Sequence, residues 1–326
     1  MRPIAVIYEN EAWMAPLFAA LERVGAPYQP VYADDLVVDP RTAPPAWSLA
    51  VNKVSPSSYL RGHAASIDTA RRLLPYLEEH GIRVVNGSRA FALETSKVRQ
   101  LELLRELGIR APAGSAVAAP TEVVDAARGL RFPVIVKPNV GGSGALMRRF
   151  DDVGALADAA PTLDLGPDGT GLVQEFLESV DGSIQRVEFL DGEHLYAIKI
   201  ATDSTDFNLC PADICQVPAV SVDQFDNCVV DAPAKKALKI EAIEAPAEIV
   251  RDVLRIGRAG GLDVGGVEYL VAARDGLPYI YDVNALSNFV TDAPSLVGFD
   301  PHERFARWLA DLAGFRDRNG LLAAAR

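Results

Sequence analysis

The chain has 326 residues, of which 49% are hydrophobic and 23% charged, and carries a formal net charge of −12. This length predicts two or three subdomains with ordinary globular cores. The basic residues are scattered, which argues against nucleic acid as a main partner because phosphate backbones demand a concentrated basic surface. No apolar run approaches the roughly 18 residues of a membrane span.

The N-terminus reaches Glu9 too soon for a signal peptide and reads as a first strand, so a cytoplasmic protein is expected. Residues 3–8, 28–32, 48–54 and 82–85 read as strands, alternating with helices over 13–24 and 63–80. The second helix carries Ile67, Ala70, Leu73, Leu74 and Leu77 at helical spacing and is closed by Gly81. Such alternation predicts a small parallel α/β unit. A helix over 95–107 follows, with Thr95 or Ser96 as its cap. Residues 113–150 read mostly as strands, with one helix near 121–127. Then come a helix at 153–163 and strands at 172–176, 184–190 and 195–201. Residues 202–233 form a long polar stretch without periodicity, which fits either a functional loop or a plain crossover. It holds Cys210, Cys215 and Cys228. Their odd number and the lack of a nearby fourth soft ligand predict reduced loop or packing thiols, with a thiol role as the alternative. A helix at 247–258, a hairpin and a helix at 302–312 complete the chain.

Two constellations carry chemistry. In Lys137-Pro138-Asn139-Val140-Gly141-Gly142-Ser143-Gly144 a lysine ends an apolar strand and a glycine-rich turn follows. The lysine precedes the glycines and another strand follows them, so this is not a Walker loop. Alone, it fits a phosphate cradle built from backbone N–H groups and a lysine charge, or a flexible turn with a snorkelling lysine. The second constellation is Gly265-Gly266-Val267-Glu268-Tyr269-Leu270 with Pro278-Tyr279-Ile280-Tyr281-Asp282-Val283-Asn284. Strand alternation places Ile280, Asp282 and Asn284 on one face, and Glu268, Leu270 and Ala272 on one face of the partner. A two-residue Asp275-Gly276 turn would set Glu268 against Val283 and separate the acids. A three-residue Arg274-Asp275-Gly276 turn, with Gly276 left-handed, would set Glu268 directly against Asp282. At about 5 Å two carboxylates repel unless a cation lies between them. Glu, Asp and Asn oxygens are hard ligands of the kind magnesium takes. On these residues alone the hairpin fits a metal site or a solvated polar edge.

Taken together, Lys137-Pro138 with Gly141-Gly142-Ser143-Gly144, then Val173-Gln174-Glu175-Phe176-Leu177, then Glu268 and Asp282-Val283-Asn284 resemble the ATP-grasp superfamily in order and spacing. Ser96-Lys97-Val98-Arg99-Gln100-Leu101 followed by Leu107-Gly108-Ile109 resembles the helix that opens the nucleotide-binding domain. Val51-Asn52-Lys53 and Val84-Val85-Asn86 resemble the preceding domain of the branch that holds ribosomal-protein glutamate ligases and lysine-biosynthesis carrier ligases. The resemblance covers nearly the whole chain. It implies an α/β class ATP-grasp fold behind an N-terminal parallel α/β domain, divided at 1–88, 89–175 (small lid subdomain) and 176–326 (metal- and substrate-binding subdomain).

It also implies ATP with Mg²⁺, or Mn²⁺, as cofactors. Lys97 and Lys137 would contact the phosphates beneath the loop of Gly141, Gly142, Ser143 and Gly144. The hinge of Gln174, Glu175, Phe176 and Leu177 would read the adenine edge through the Glu175 carbonyl and the Leu177 N–H, with Phe176 in the cleft wall or in plain core. Glu268, Asp282 and Asn284 would hold the metal, and Arg186 would stand near the reacting groups. Lys199 would neutralise the γ-phosphate or a substrate carboxylate, or else be a solvated surface lysine.

The chain departs from the pattern in places. It has Ala285-Leu286-Ser287-Asn288-Phe289 where relatives commonly carry a Pro-Gly segment, and Asp282 where many carry Glu. Ile184 stands where a ribose-binding acid is common, leaving Asp181 or Glu178 as substitutes. Gly266 stands where D-Ala–D-Ala ligases place an arginine. The expected activity is carboxylate–amine ligation through an acyl phosphate, with Asp203, Asp206, Asn208 and Asp213 in a candidate lid. An amino acid, a peptide or a carrier-protein terminus would serve as substrate, and a homodimer is allowed. The alternatives are phosphotransfer to a small-molecule hydroxyl, for which clustered lysines are few beyond Lys235, Lys236 and Lys239, and a non-catalytic nucleotide-binding regulator.

Overall fold

The computed structural model describes residues 1–315 apart from 38, 40, 44 and 202–238. Strands β1 (Ile4–Tyr8), β2 (Tyr28–Tyr32), β3 (Leu49–Lys53) and β4 (Val84–Val85) form a parallel sheet in the order β2-β1-β3-β4. Every side chain of β1 is buried, as expected of a parallel strand covered on both faces. Helices α1 (Glu11–Val24) and α2 (Ala64–Glu79) provide that cover. Asn10 starts α1 by accepting the Trp13 N–H on its side chain at 3.3 Å.

Two short helices lead out of this unit, α3 (Ser88–Glu94) and α4 (Lys97–Glu106). Ser96 caps α4 by accepting the Arg99 N–H at 3.2 Å. The sequence pattern does not reveal α3, because its few turns bury Ala90, Phe91, Leu93 and even Glu94 without an amphipathic stripe. Strands β5 (Gly114–Val117), β6 (Val134–Pro138), β7 (Arg148–Phe150) and β8 (Gly171–Glu175) then build an antiparallel sheet in the order β5-β8-β6-β7. Helices α5 (Val123–Ala126) and α6 (Val153–Ala159) close its core around Val134, Val136, Leu156 and Val173.

The third sheet is antiparallel, with β9 (Ser183–Leu190), β10 (Glu193–Ala201), β11 (Ile240–Ile243), β12 (Val264–Val271) and β13 (Pro278–Asn284) in the order β11-β10-β9-β12-β13. One face carries Val187, Phe189, Val267 and Val283, packed with Ile249, Val253 and Ile256 of α7 (Ala247–Gly260). The other carries Ile184, Ile198, Ile200 and Leu270, in one core with Leu17 and Leu21 of α1 and Phe305 and Leu309 of α9 (Pro301–Leu312). The brief helix α8 (Ala293–Val297) lies between β13 and α9. The polar segment between β10 and β11, including Asp203, Asp206, Asn208, Asp213, the three cysteines, Lys235 and Lys236, lies outside the described residues. Among the described residues no helix is long and apolar enough to cross a membrane.

Candidate active site

The β12–β13 hairpin brings Glu268 directly opposite Asp282, but by a different route from the expected three-residue turn. Near the turn, Val271 pairs with Pro278, Leu270 with Tyr279 and Tyr269 with Ile280. The Ala272 N–H donates to the Leu277 carbonyl at 2.9 Å, so the loop holds four residues, 273–276. Gly276 does take the left-handed conformation, with φ 71°. A bulge between Ile280 and Asp282 inserts Tyr281 and restores the acid pair. A bulge turns a side chain that strict alternation would send to the other face. Tyr281 and Asp282 therefore both line the cleft, whereas Ile280, expected beside Asp282, packs in the opposite core with Val267 and Val283.

That cleft has a volume of about 450 Å³. Its walls include Lys97, Lys137, Gly141, Gly142, Ser143 and Gly144 at one end, and Gln174, Glu175, Phe176 and Leu177 along the hinge, with Glu268 and Asp282 on the floor. The Gln174 side chain donates to the Pro112 carbonyl at 3.3 Å. The Glu175 carboxylate accepts from the Arg131 N–H at 3.0 Å and from Arg274 at 2.6 Å, so hinge and hairpin turn are tied together. Phe176 faces the cleft with the Arg149 guanidinium 4.5 Å from its ring centroid. Glu178 is also on the wall.

Arg186 is buried beneath the acids. Its Nε donates to Glu188 at 2.7 Å and its Nη1 to Glu268 at 2.8 Å. The Tyr281 hydroxyl donates to the other Glu268 oxygen at 3.1 Å. Lys97 donates to Asp282 and, at 3.3 Å, to Gln100. Burial pushes the Glu268 carboxyl up, and Asp282 adds to this against the pull of Arg186. Burial acts the same way on Asp282, but there Lys97 and Lys137 prevail and hold it below the usual range. Burial, reinforced by Lys97, brings the Lys137 ammonium down to about 8. Lys97 is held above its ordinary value because Asp282 and Glu94 outweigh its burial.

These residues fit a divalent cation shared with phosphate oxygens. Two carboxylates stand on adjacent strands, and the buried Asn284 Nδ2 has no partner among the described residues. Which atom of that amide is nitrogen is an assignment, so the group can equally offer its oxygen to a ligand. Among the described residues no three His, Cys, Asp or Glu side chains gather as a self-sufficient metal centre. The remaining ligands would be water and phosphate oxygens, as is usual for magnesium.

Lys199 does not join this cluster. Its cross-strand partner is Gln185, the neighbour of Arg186, so alternation places it on the opposite face of the sheet. There it pairs with Asp181 at 2.8 Å and approaches Glu241 at 3.8 Å. The Lys199 hydrogen bond brings Asp181 down to about 2, so this candidate ribose acid is engaged elsewhere.

Three residues of the site had no mark in the sequence. Tyr281 reads as an ordinary strand aromatic until the bulge is known. Glu94 is fully buried beside Lys97, and burial raises its carboxyl to about 6. Asn139 accepts from the Ser96 hydroxyl at 2.9 Å and from the Val98 N–H at 3.1 Å, which joins the end of β6 to the start of α4. Each depends on a long-range contact; the only local hint was Asn139's place beside Lys137.

No family model matches the chain. It is 28% identical over 172 residues to the carbamoyl phosphate synthase large chain of Archaeoglobus fulgidus, covering 51% of this chain and 16% of that protein. It is 29% identical over 160 residues to the D-alanine–D-alanine ligase of Stutzerimonas stutzeri, covering 49% of this chain and 48% of that protein. The match thus spans less than half the length of each relative. Among solved structures, the ATP-grasp ligase PsnB complexed with a minimal precursor superposes with a TM-score of 0.67 at 20% identity, covering 95% of this chain and 99% of that one. PsnB is also known with a minimal precursor, Mg and ADP. The D-cycloserine synthetase DcsG gives a TM-score of 0.67 at 20% identity, with 95% and 99% covered. At such identities it is the architecture that is shared, and the fold of this chain is the ATP-grasp fold.

Proposed function

We propose that the chain is an ATP-dependent carboxylate–amine ligase. The observation that carries this reading is the meeting of Glu268 and Asp282 with Lys97, Lys137 and the glycine loop in one cleft. Phosphoryl transfer needs little from a protein beyond positioning and charge neutralisation, and this set offers both. Lys97 and Lys137 bind the phosphates beneath the 141–144 loop, and the backbone of Glu175 and Leu177 reads the adenine. Glu268, Asp282 and Asn284 would hold magnesium together with phosphate oxygens, and Arg186 keeps Glu268 in place next to the reacting groups. The bound metal would neutralise charge on those oxygens.

A substrate carboxylate oxygen attacks the γ-phosphorus as the bridging P–O bond to ADP breaks. The amine nitrogen then attacks the acyl carbon, phosphate leaves, and the amine gives up its proton to water. In this reading residues 1–88 form the N-terminal α/β domain, residues 89–175 the lid, and residues 176–326 the metal- and substrate-binding part of a cytoplasmic enzyme. The PsnB precursor, D-cycloserine and D-alanine names of the similar proteins support an amino acid or peptide as substrate.

The test is phosphate release from Mg-ATP across a panel of carboxylate and amine pairs, with products identified by mass spectrometry. Release that needs both partners and disappears in Lys137→Ala and Asp282→Ala supports the ligase. A phosphorylated hydroxyl product contradicts it.

A further inference from the structure

Strand β13 is the outer strand of its sheet, so the backbone groups of Val283 and Ala285 that turn away from β12 have no neighbouring strand. Side chains take its place. Gln100 Nε2 donates to the Val283 carbonyl at 2.8 Å, and Gln100 Oε1 accepts the Val283 N–H at 3.3 Å. The Ala285 N–H donates to the Glu94 carboxylate, and the Ala285 carbonyl accepts from the Asn86 amide, each at 2.5 Å. Nearer the turn, the Arg110 carbonyl accepts the Ile280 N–H at 3.0 Å.

A glutamine amide carries the same donor and acceptor as a peptide, so one side chain can bond one residue as a strand would. The groups that Gln100 holds belong to the two peptide planes joining Val283 to Asp282 and to Asn284. Gln100 is itself fixed: it is 3% exposed, and its Nε2 also donates to the Leu93 carbonyl at 3.2 Å. Val283 cannot compensate by shifting, because its side chain is locked in the core with Val267 and Ile280.

We propose that Gln100 is a positioning residue that aims Asp282 and Asn284 by holding both peptide planes of Val283. The proposal rests on the metal–nucleotide reading of the cleft and extends it to a residue that touches neither ligand. A metal ligand must be held to within about half an ångström, and loss of such supporting partners typically costs 10- to 100-fold in metal affinity. A role in stability alone would not distinguish metal from nucleotide.

The experiment is calorimetric titration of ADP into wild type, Gln100→Met and Gln100→Glu, each with Mg²⁺ and with EDTA. In Gln100→Met the gain in ADP affinity conferred by Mg²⁺ falls about 10-fold or more, over and above any loss in EDTA from the 3.3 Å bond that Gln100 also accepts from Lys97. Gln100→Glu keeps the acceptor for the Val283 N–H but turns a second carboxylate oxygen on the Val283 and Leu93 carbonyls, so its loss is at least as large; Gln100→Leu serves if the methionine variant fails to fold. Equal losses with and without Mg²⁺, or none, overturn the positioning role and leave nucleotide binding intact. A wild-type protein whose ADP affinity Mg²⁺ does not raise overturns both.

Discussion

The Arg186 guanidinium fills the space that a side chain on residue 266 would occupy, with its Nη1 2.8 Å from Glu268. A Cβ on residue 266 would collide with it. The arginine therefore reaches the place over residue 266 from the adjacent strand β9, across the register that pairs Gly266 with Glu188 and Glu268 with Arg186.

Gly266→Ala forces Arg186 out of this seat. Overpacking of a filled site costs about 1–3 kcal/mol, and misplacement of a catalytic group by an ångström costs about 100-fold in rate. The expected outcome is a folded protein, with thermal unfolding lowered by a few degrees and ATP turnover reduced about 100-fold. Turnover assays beside thermal unfolding check it; wild-type turnover would show that the Arg186 seat is not used.

Lys137 is held against its own stability. Its ammonium titrates near 8 in the fold against 10.5 for the free group, because burial and Lys97 disfavour the charge. Between those pH values the unfolded chain binds more protons, so stability rises with pH across that window, and the penalty is fully present below 8. Lys137→Met removes it. The variant gains up to about 3 kcal/mol at pH 7, with the gain shrinking as pH approaches 10.5, while turnover is lost. Urea unfolding at pH 7 and pH 10 checks both the sign and the window.

Most strand and helix positions were legible in the sequence because burial follows simple periods, whereas α3, β11 and α8 were missed. The 28–32 strand matches β2 residue for residue, and α9 begins one residue before its expected start. The opposition of Glu268 and Asp282 was also foreseeable, although the loop is one residue longer than the three-residue turn and the bulge at Tyr281, which strict alternation does not show, makes up the difference. Lys199 shows what the sequence withholds. Counting strands places it near Arg186, and only the pairing with Gln185 shows that it points the other way. Likewise, nothing local reveals that Glu94, Asn86 and Gln100 stand in for a strand beside β13.

His302 predicts an acid limit to stability. Burial, assisted by Lys53, lowers its imidazole to about 4 from 6.5, and its ring packs edge-on against Phe289 at 5.0 Å. Between pH 6.5 and 4 the unfolded chain binds one more proton than the folded one, so stability falls on acidification by about 1.4 kcal/mol per pH unit. His302→Phe keeps the ring contact and removes the titration. The variant unfolds at a more constant temperature between pH 7 and pH 5 than wild type; parallel curves would rule out His302 as the source.

In the proposed function Glu268, Asp282 and Asn284 hold a divalent ion only jointly with nucleotide phosphates. Electron paramagnetic resonance of Mn²⁺, which reads free metal directly, tests it with and without a non-hydrolysable ATP analogue. Wild type is expected to take up metal only when the analogue is present, and Asp282→Ala to lose that uptake. Uptake without nucleotide, or unchanged uptake in Asp282→Ala, would contradict it.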